Sequence, residues 1–567
     1  MSTGPSLMEV LTYPPRPLKF GTSGVRARVE ELTDLEVYCL TRGTLVYLEQ
    51  IGKLVRDLKP SEVAIPLAGD LRPSTPRLLE ATARAIVDAG YKVDYGGCLP
   101  TPALTYYALE RGVASFVVTG SHIPADRNGQ KANRCDGEVL KSDEAGITAA
   151  VELFRAQEYS RSAEESKFAP DGSLKPQFRL RLPKVNLKLA ESYRDRYRAA
   201  FAADSLKGLR VLFFEYSAAG RDLLPKILMD AGADVICVGR CGEFIPLDTE
   251  AISDAHLELL GDWVKRQDGP IDAVVTTDGD SDRPLVIGVE GEKLVVFPGD
   301  LLGAVVAQFL DADAAAVPIS ASPALEDFLG PRGISLRRTR IGSPYVIEAM
   351  RLWLTEGKQS VVAWEANGGF LLGSDVLLNG RPLKALPTRD AALPILCALT
   401  AARRRGTSLT GLLQEFPQIF GRSDLIDAFP QELSQKIVAY FTAEAAEVEE
   451  VRFGNEEVVL SGTGGKELAC LPAPSTQAGR WLARKRLLEE VFPPRLGFAP
   501  VVGINVLDGV RCYFANGEVA HVRPSGNAPQ LRIYAYAATS ARAQEIARLA
   551  VAEGGLLAQL AQKVSAA

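Results

Sequence analysis

The chain has 567 residues, of which 47% are hydrophobic and 24% charged, with 64 Lys and Arg against 70 Asp and Glu for a net charge of −6. That is chain enough for several globular domains, and the mild acid excess excludes a general nucleic-acid binder while still allowing a few cations to gather against phosphate. No run reaches the ~18–20 apolar residues of a membrane span, the opening MSTGPSLMEVLTYPPRPLKF lacks the order of a secretion signal, and the eight cysteines are scattered, so a cytoplasmic protein with no membrane or nucleic-acid partner is expected.

Three segments repeat one local pattern. The first runs from VAIPL (63–67) through the turn GDLRPS and a helix to about Ala89, then Gly90 and YKVDYG. The second runs from RVLFF (210–214) through EYSAAGRD and LLPKILMDA to Gly232 and ADVICV. The third runs from AAAVPIS (314–320) through PALEDFLG to ISLRRTRIG. Each reads as strand, loop, helix, strand, the βαβ unit of a parallel sheet, whose ligands gather at the carboxyl ends of the strands. Residues 155–190 are polar and read as an extended connector or surface insertion. From about Ile426 the strands alternate with turns and end on a helix, as in a smaller α+β domain.

Four loops carry the candidate chemistry. In VVTGSHIPADRNGQK (117–131), the apolar run ASFVV leads straight into Ser121 and His122. Ser121 is either a turn serine or a nucleophile. A hydrolase triad fits poorly, because the loop is not G-x-S-x-G and the only histidines are His122, His256 and His521. In VVTTDGDSDRPLV (274–286), Asp278, Asp280 and Asp282 follow at spacing two, with Arg283 next. Such carboxylates repel one another unless a cation compensates, so a divalent metal with oxygen ligands is preferred to a solvated acidic turn. In WEANGGFLLGSD (364–375), Glu365 and Asn367 precede a Gly pair and could bind sugar hydroxyls, although E-x-N is a common pattern. RPSGNAPQLR (523–532) offers Arg523, Ser525, Gly526 and Asn527, either as a phosphate clamp or as a plain hairpin turn.

Taken in this order, with KFGTSGVR (19–26) and GDLRPST around Arg72, these loops resemble the α-D-phosphohexomutase family of phosphomannomutases, phosphoglucomutases and phosphoglucosamine mutases. The resemblance implies an α/β protein of four domains: three similar mixed α/β sandwich domains and a C-terminal α+β domain around a central cleft. The boundaries expected are 1–190, 191–296, 297–425 and 426–567. It implies a phosphorylated Ser121 that completes a Mg²⁺ site with Asp278, Asp280 and Asp282. Arg26, His122, Lys131 and Arg283 would flank the transfer, with Lys131 as the candidate for proton handling. Glu365 and Asn367 would read the sugar, and Arg523, Ser525, Gly526, Asn527 and Arg532 would hold the phosphate.

The implied reaction interconverts hexose 1-phosphate and hexose 6-phosphate through a hexose 1,6-bisphosphate, in a monomer or homodimer whose partner is the phosphosugar. Gly120 and Ile123 stand where the family usually has Ala and Asn, and Asn527 where Thr is common. The sugar loop departs most: Trp364 replaces Gly, Asn367 replaces Ser, and Gly369 falls where a His is frequent. Mannose and glucose phosphates are expected ahead of amino sugars, with mannose first. The alternatives are a phosphoglucosamine mutase, a non-catalytic sugar-phosphate-binding relative, and a metal-dependent phosphatase.

Overall fold

The computed structural model describes residues 4–21, 23–56, 62–442, 447–473, 475–525 and 529–566. Two compact units emerge, Met1–Ala315 with Gly342–Leu413, and Ala316–Ile341 with Gln414–Ala567.

The first unit contains two mixed sheets built on one plan. In one, Ala64–Gly69 lies parallel to both Lys92–Cys98 and Ser115–Val118. Ser115–Val118 then pairs antiparallel with Arg127–Arg134. In the other, Arg210–Phe214 lies parallel to Asp234–Val238 and Ala273–Thr277, and Ala273–Thr277 pairs antiparallel with Pro284–Glu290. The βαβ units expected from the apolar strands are present, with helices Thr75–Asp88 and Leu224–Asp230 as crossovers. The sheets are mixed, though, because the chain folds back after its last parallel strand. That hairpin is where the candidate residues sit: Ser121 and Asp278 each follow a fully buried strand and precede its antiparallel partner. Glu365 occupies the same position between Val361–Trp364 and Phe370–Leu372.

The segment read as a connector at 155–190 is more structured than its polarity suggests. Helix Lys141–Ser160 takes its first six residues and helix Lys188–Ala200 its last three. Between them, Phe168 and Leu174 are buried in the core of the first sheet, and the Leu174 amide donates to Asp34 at 2.8 Å. Tyr159, Phe178 and Leu182 pack against the same core, so a few apolar residues anchor the polar stretch.

The second unit has one eight-stranded sheet in which every neighbouring pair is antiparallel. Its first strand, Phe420–Ile426, pairs with Leu531–Ala537. Helices Gln431–Thr442, Thr476–Val491, Ser540–Val551 and Leu556–Ala566 cover the sheet with Ile437, Leu488, Ile546 and Leu560. This is the α+β domain expected from the alternating pattern. Ala316–Ile341 joins it through Arg511, whose guanidinium donates to the carbonyls of Ile319 at 2.5 Å and Ala321 at 3.3 Å. Among the described residues no helix is long and apolar enough to cross a membrane.

Candidate active site

Ser121 is held in a left-handed backbone conformation, φ 58°, which few non-glycine residues adopt without support. The support is Arg72. Its guanidinium donates to the carbonyls of Ser121 (2.8 Å), Ile123 (2.6 Å), Pro124 (2.6 Å) and Arg127 (2.9 Å). It also pairs with Asp70 at 3.1 Å and lies over the Phe244 ring at 4.2 Å. A Cβ at position 120 would come within 2.5 Å of this guanidinium. Glycine at that position, the first departure noted above, is therefore what lets the arginine in. The Ser121 hydroxyl donates to Asp278.

His122 lies 3.3 Å from the same hydroxyl through Nδ1, but Arg283 donates to that nitrogen at 3.0 Å. Burial, then Arg283 and Arg26, push the imidazole pKa far down. Its Nδ1 lone pair is engaged, so His122 is a neutral wall of the site and no base for Ser121.

Asp278, Asp280 and Asp282 are all buried, and one oxygen from each lies within 4.8 Å of the others. The turn is tight: Ser281 has φ 56°, and its hydroxyl accepts from the Gly220 amide at 2.8 Å. Lys131 bonds Asp280 at 2.6 Å and Asp282 at 2.7 Å through one oxygen of each. Thr101 donates to that same oxygen of Asp280 at 2.5 Å. The remaining Oδ1 atoms of Asp280 and Asp282 are buried without a hydrogen-bond partner, although Arg283 Nε lies 3.7 Å from that of Asp282. Orphaned carboxylate oxygens beside a serine hydroxyl form the donor set of a hard divalent cation.

The electrostatics are uneven across the triad. Burial, Asp280 and Asp282 drive the Asp278 pKa well up. Burial also opposes ionisation of Asp282, but Arg389, Lys131 and Arg283 outweigh it and hold this carboxyl far below its ordinary range. For Asp280, burial and Asp282 are likewise overcome, by Lys131 and Thr101. Arg26 stands among these charges. Burial and then Arg283 lower its pKa to about 10.

In the sugar loop the Gly368 amide donates to the Glu365 carbonyl at 2.9 Å and the Glu365 amide to the Gly369 carbonyl at 3.2 Å, closing a turn that needs Gly368 at φ 85°. Asn367 spends its side-chain carbonyl on the Gly369 amide at 3.0 Å, and its backbone carbonyl accepts from Thr249 at 2.9 Å. Glu365 is paired with Arg389 at 3.0 Å. Sequence reasoning missed Arg389. The signal it offered was a charged Thr-Arg-Asp closing the strand Leu386–Asp390, the placement that marks the other loops.

Ser121, His122, Lys131, Arg26, Arg283, the three aspartates, Glu365 and Asn367 all lie in the first unit. The phosphate loop lies in the second. There Arg523 and Arg532 face each other across the antiparallel pair, like charges that repel unless an anion lies beside them. Arg523 is held by Asp508 at 3.0 Å. The Ser525 amide donates to the Gln530 carbonyl at 2.9 Å, and Arg532 donates to the Gln530 side chain at 3.3 Å. Gly526 and Asn527 fall outside the described residues.

Models of the phosphoglucomutase/phosphomannomutase alpha/beta/alpha domain I, alpha/beta/alpha domain III and C-terminal domain match residues 17–157, 298–420 and 477–553. A phosphomannomutase of Sinorhizobium fredii (strain NBRC 101917 / NGR234) is 36% identical over 519 residues, 91% of this chain and 94% of that one. The chain belongs to the α-D-phosphohexomutase family. It is an isomerase of the phosphohexomutase class. A phosphomannomutase of Salmonella muenchen is 33% identical over 522 residues, 92% of each chain. A phosphoglucosamine mutase of Deinococcus deserti (strain DSM 17065 / CIP 109153 / LMG 22923 / VCD115) is 27% identical over 409 residues, 70% of this chain and 81% of that one. The phosphohexomutase fold also matches the crystal structure of a putative phosphomannomutase from Thermus thermophilus. That match has a TM-score of 0.63 at 18% identity and covers 98% of this chain and all of the other.

Proposed function

We propose that this phosphohexomutase interconverts the 1- and 6-phosphates of mannose, and of glucose as a second substrate, through a phosphoryl group carried on Ser121. The observation that carries the reading is the Ser121 hydroxyl bonded to Asp278 beside two carboxylates whose Oδ1 atoms have no hydrogen-bond partner. A divalent cation, Mg²⁺ by the all-oxygen donor set, would be held by Ser121, Asp278, Asp280 and Asp282 and would supply Lewis-acid polarisation of the phosphoryl oxygens.

The chain's own residues supply the rest. The Ser121 Oγ–P bond breaks as the sugar 6-hydroxyl oxygen bonds the same phosphorus, and the hydroxyl proton ends on the serine oxygen. The product, a hexose 1,6-bisphosphate, turns over and returns its other phosphate to Ser121. Arg283 and Arg26 are charged groups suited to the phosphoryl oxygens. Lys131, bound between two carboxylates, is the candidate for proton handling and balances their charge in this arrangement. Glu365, with one oxygen on Arg389, keeps the other as an acceptor for a sugar hydroxyl. The facing Arg523 and Arg532, with Ser525, Gly526 and Asn527, suit the non-reacting phosphate.

The preference for mannose draws on the two phosphomannomutase relatives and on a sugar loop that offers an amide, two glycines and a Phe rather than an additional acceptor for a C2 amine. A loosely polar pocket separates such substrates by only ~1–3 kcal/mol. Coupled assays with mannose, glucose and glucosamine 1-phosphates, side by side, test the order; a tenfold advantage for the glucosamine compound overturns it. Mass analysis of the purified protein is expected to find phosphate on Ser121. Turnover retained by Ser121→Ala overturns the covalent route.

A further inference from the structure

Arg389 donates four side-chain hydrogen bonds within the site. Its Nε and Nη2 donate to Asp282 at 3.1 and 2.8 Å, its Nη1 to Glu365 at 3.0 Å, and its Nη2 also to Ser23 at 3.3 Å. The side chain is 3% exposed, so these bonds form away from solvent screening. One rigid planar fork thus joins a carboxylate of the metal loop to the carboxylate of the sugar loop. Room for it comes from Gly369, where a Cβ would lie 2.6 Å from the arginine's Cδ and 2.9 Å from its Cγ.

We propose that Arg389 is a positioning residue that couples Glu365 to Asp282, so that a hexose phosphate and a divalent cation strengthen each other's binding. The proposal rests on the functional reading above. A cation that takes Oδ1 of Asp282, which has no hydrogen-bond partner, fixes the rotation of that carboxylate. The guanidinium passes the constraint to Glu365, whose ordering is then already complete when the sugar arrives. By linkage the sugar returns the same factor to the cation. Charge neutralisation alone would need only a cation at this place. Coupling needs the fork.

Calorimetric titration of the purified protein with Mg²⁺, alone and with saturating mannose 6-phosphate, tests this. In the unaltered protein the sugar phosphate is expected to tighten Mg²⁺ binding at least about fivefold. Arg389→Lys keeps the charge and removes the fork. Gly369→Ala keeps the arginine and displaces it. In both, Mg²⁺ alone should still bind, and the coupling factor should fall towards one. Inorganic phosphate, which has no hydroxyl for Glu365, should show no coupling that depends on Arg389. If Arg389→Lys fails to fold, as judged by circular dichroism, Gly369→Ala decides.

A coupling factor unchanged in the folded variants overturns the proposal, because simple attraction between anion and cation would survive both substitutions. A factor of one in the unaltered protein overturns it too. Failure of the unaltered protein to isomerise any hexose phosphate would instead sink the functional reading, which separates the two.

Discussion

Two charged clusters are proposed to serve the chemistry, one in each unit, and they are built differently. Around the buried Asp278, Asp280 and Asp282 stand three buried cationic side chains, Lys131, Arg283 and Arg389, and the half-buried Arg26. Around Arg523 in the C-terminal sheet there is one carboxylate, Asp508, with 20% of its side chain exposed, beside a buried neutral histidine. Water screens the second cluster and hardly reaches the first. In the first, each charge depends on its neighbours and removal of one leaves another buried and unpaired. The second should tolerate change and lose affinity before it loses chemistry.

The most severe test of that contrast is Asp280→Asn. It removes an anionic oxygen from the proposed metal site and a partner from Lys131 and Thr101, without changing size. Turnover should fall about a thousandfold, some 4 kcal/mol of transition-state stabilisation, with the fold retained. Steady-state kinetics with a circular dichroism control check it, and activity within tenfold of the unaltered enzyme would mean that the buried cluster is not the reaction centre.

Arg72→Met comes next. It keeps the bulk but removes the donor to four loop carbonyls and leaves Asp70 without its charged partner. A loss of about 3 kcal/mol in urea unfolding is expected, together with a fall in kcat, since Ser121 would no longer be held at positive φ. A stable but inactive variant would also be informative: Arg72 would then serve the loop geometry more than the fold.

Much of this was legible in the sequence, for identifiable reasons. An apolar run ending in polar residues marks a strand end, and carboxylates at spacing two in a glycine-bearing turn converge on one point. Both signals are local. Arg389 offered a local signal only in its place at a strand end; the contacts themselves were not legible, because its partners Asp282 and Ser23 lie 107 and 366 residues away. The hairpin return that makes the sheets mixed was hidden for a similar reason. A buried strand reads as an apolar run whichever way its neighbour points. The pairing of Phe420–Ile426 with Leu531–Ala537 is likewise a long-range choice.

The C-terminal cluster carries its own signature in pH. His521 Nε2 donates to the Asp508 carbonyl at 2.6 Å, and Nδ1 is buried with no partner. Burial, then Arg511, lower the histidine pKa to about 3. The unfolded chain takes up a proton near pH 6.5 that the folded one refuses until about 3. Stability is therefore intact above pH 6.5 and declines as pH falls towards 3, by about 1.4 kcal/mol per unit. Gln at this position keeps a donor for the carbonyl and does not titrate. His521→Gln should lose about 2 kcal/mol less than the unaltered protein between pH 7 and pH 5 in urea unfolding. Equal losses would show that the imidazole is charged in the folded state.

The smallest effect is expected at Asp508, and it separates the two clusters by kinetics. One carboxylate oxygen accepts from Arg523 Nε at 3.0 Å and the other from the Ile341 amide at 2.9 Å. Two donors thus need two acceptor oxygens. Asp508→Asn has only one, so either Arg523 or the Ile341 amide must face an NH₂ group. Loss of the counter-charge strengthens the pull of Arg523 on any anion, but the guanidinium is no longer aimed, and a clamp that works by bidentate geometry loses more from poor aim than it gains from charge. KM for the sugar phosphate should rise about fivefold, near 1 kcal/mol, with kcat changed less. At the buried cluster, neutralisation of Asp280 should act chiefly on kcat. Michaelis parameters for both variants, measured on one substrate, decide whether the clusters divide the work in this way. If Asp508→Asn lowers kcat as steeply as Asp280→Asn does, the half-buried cluster takes part in the chemical step and the division between holding and reacting fails.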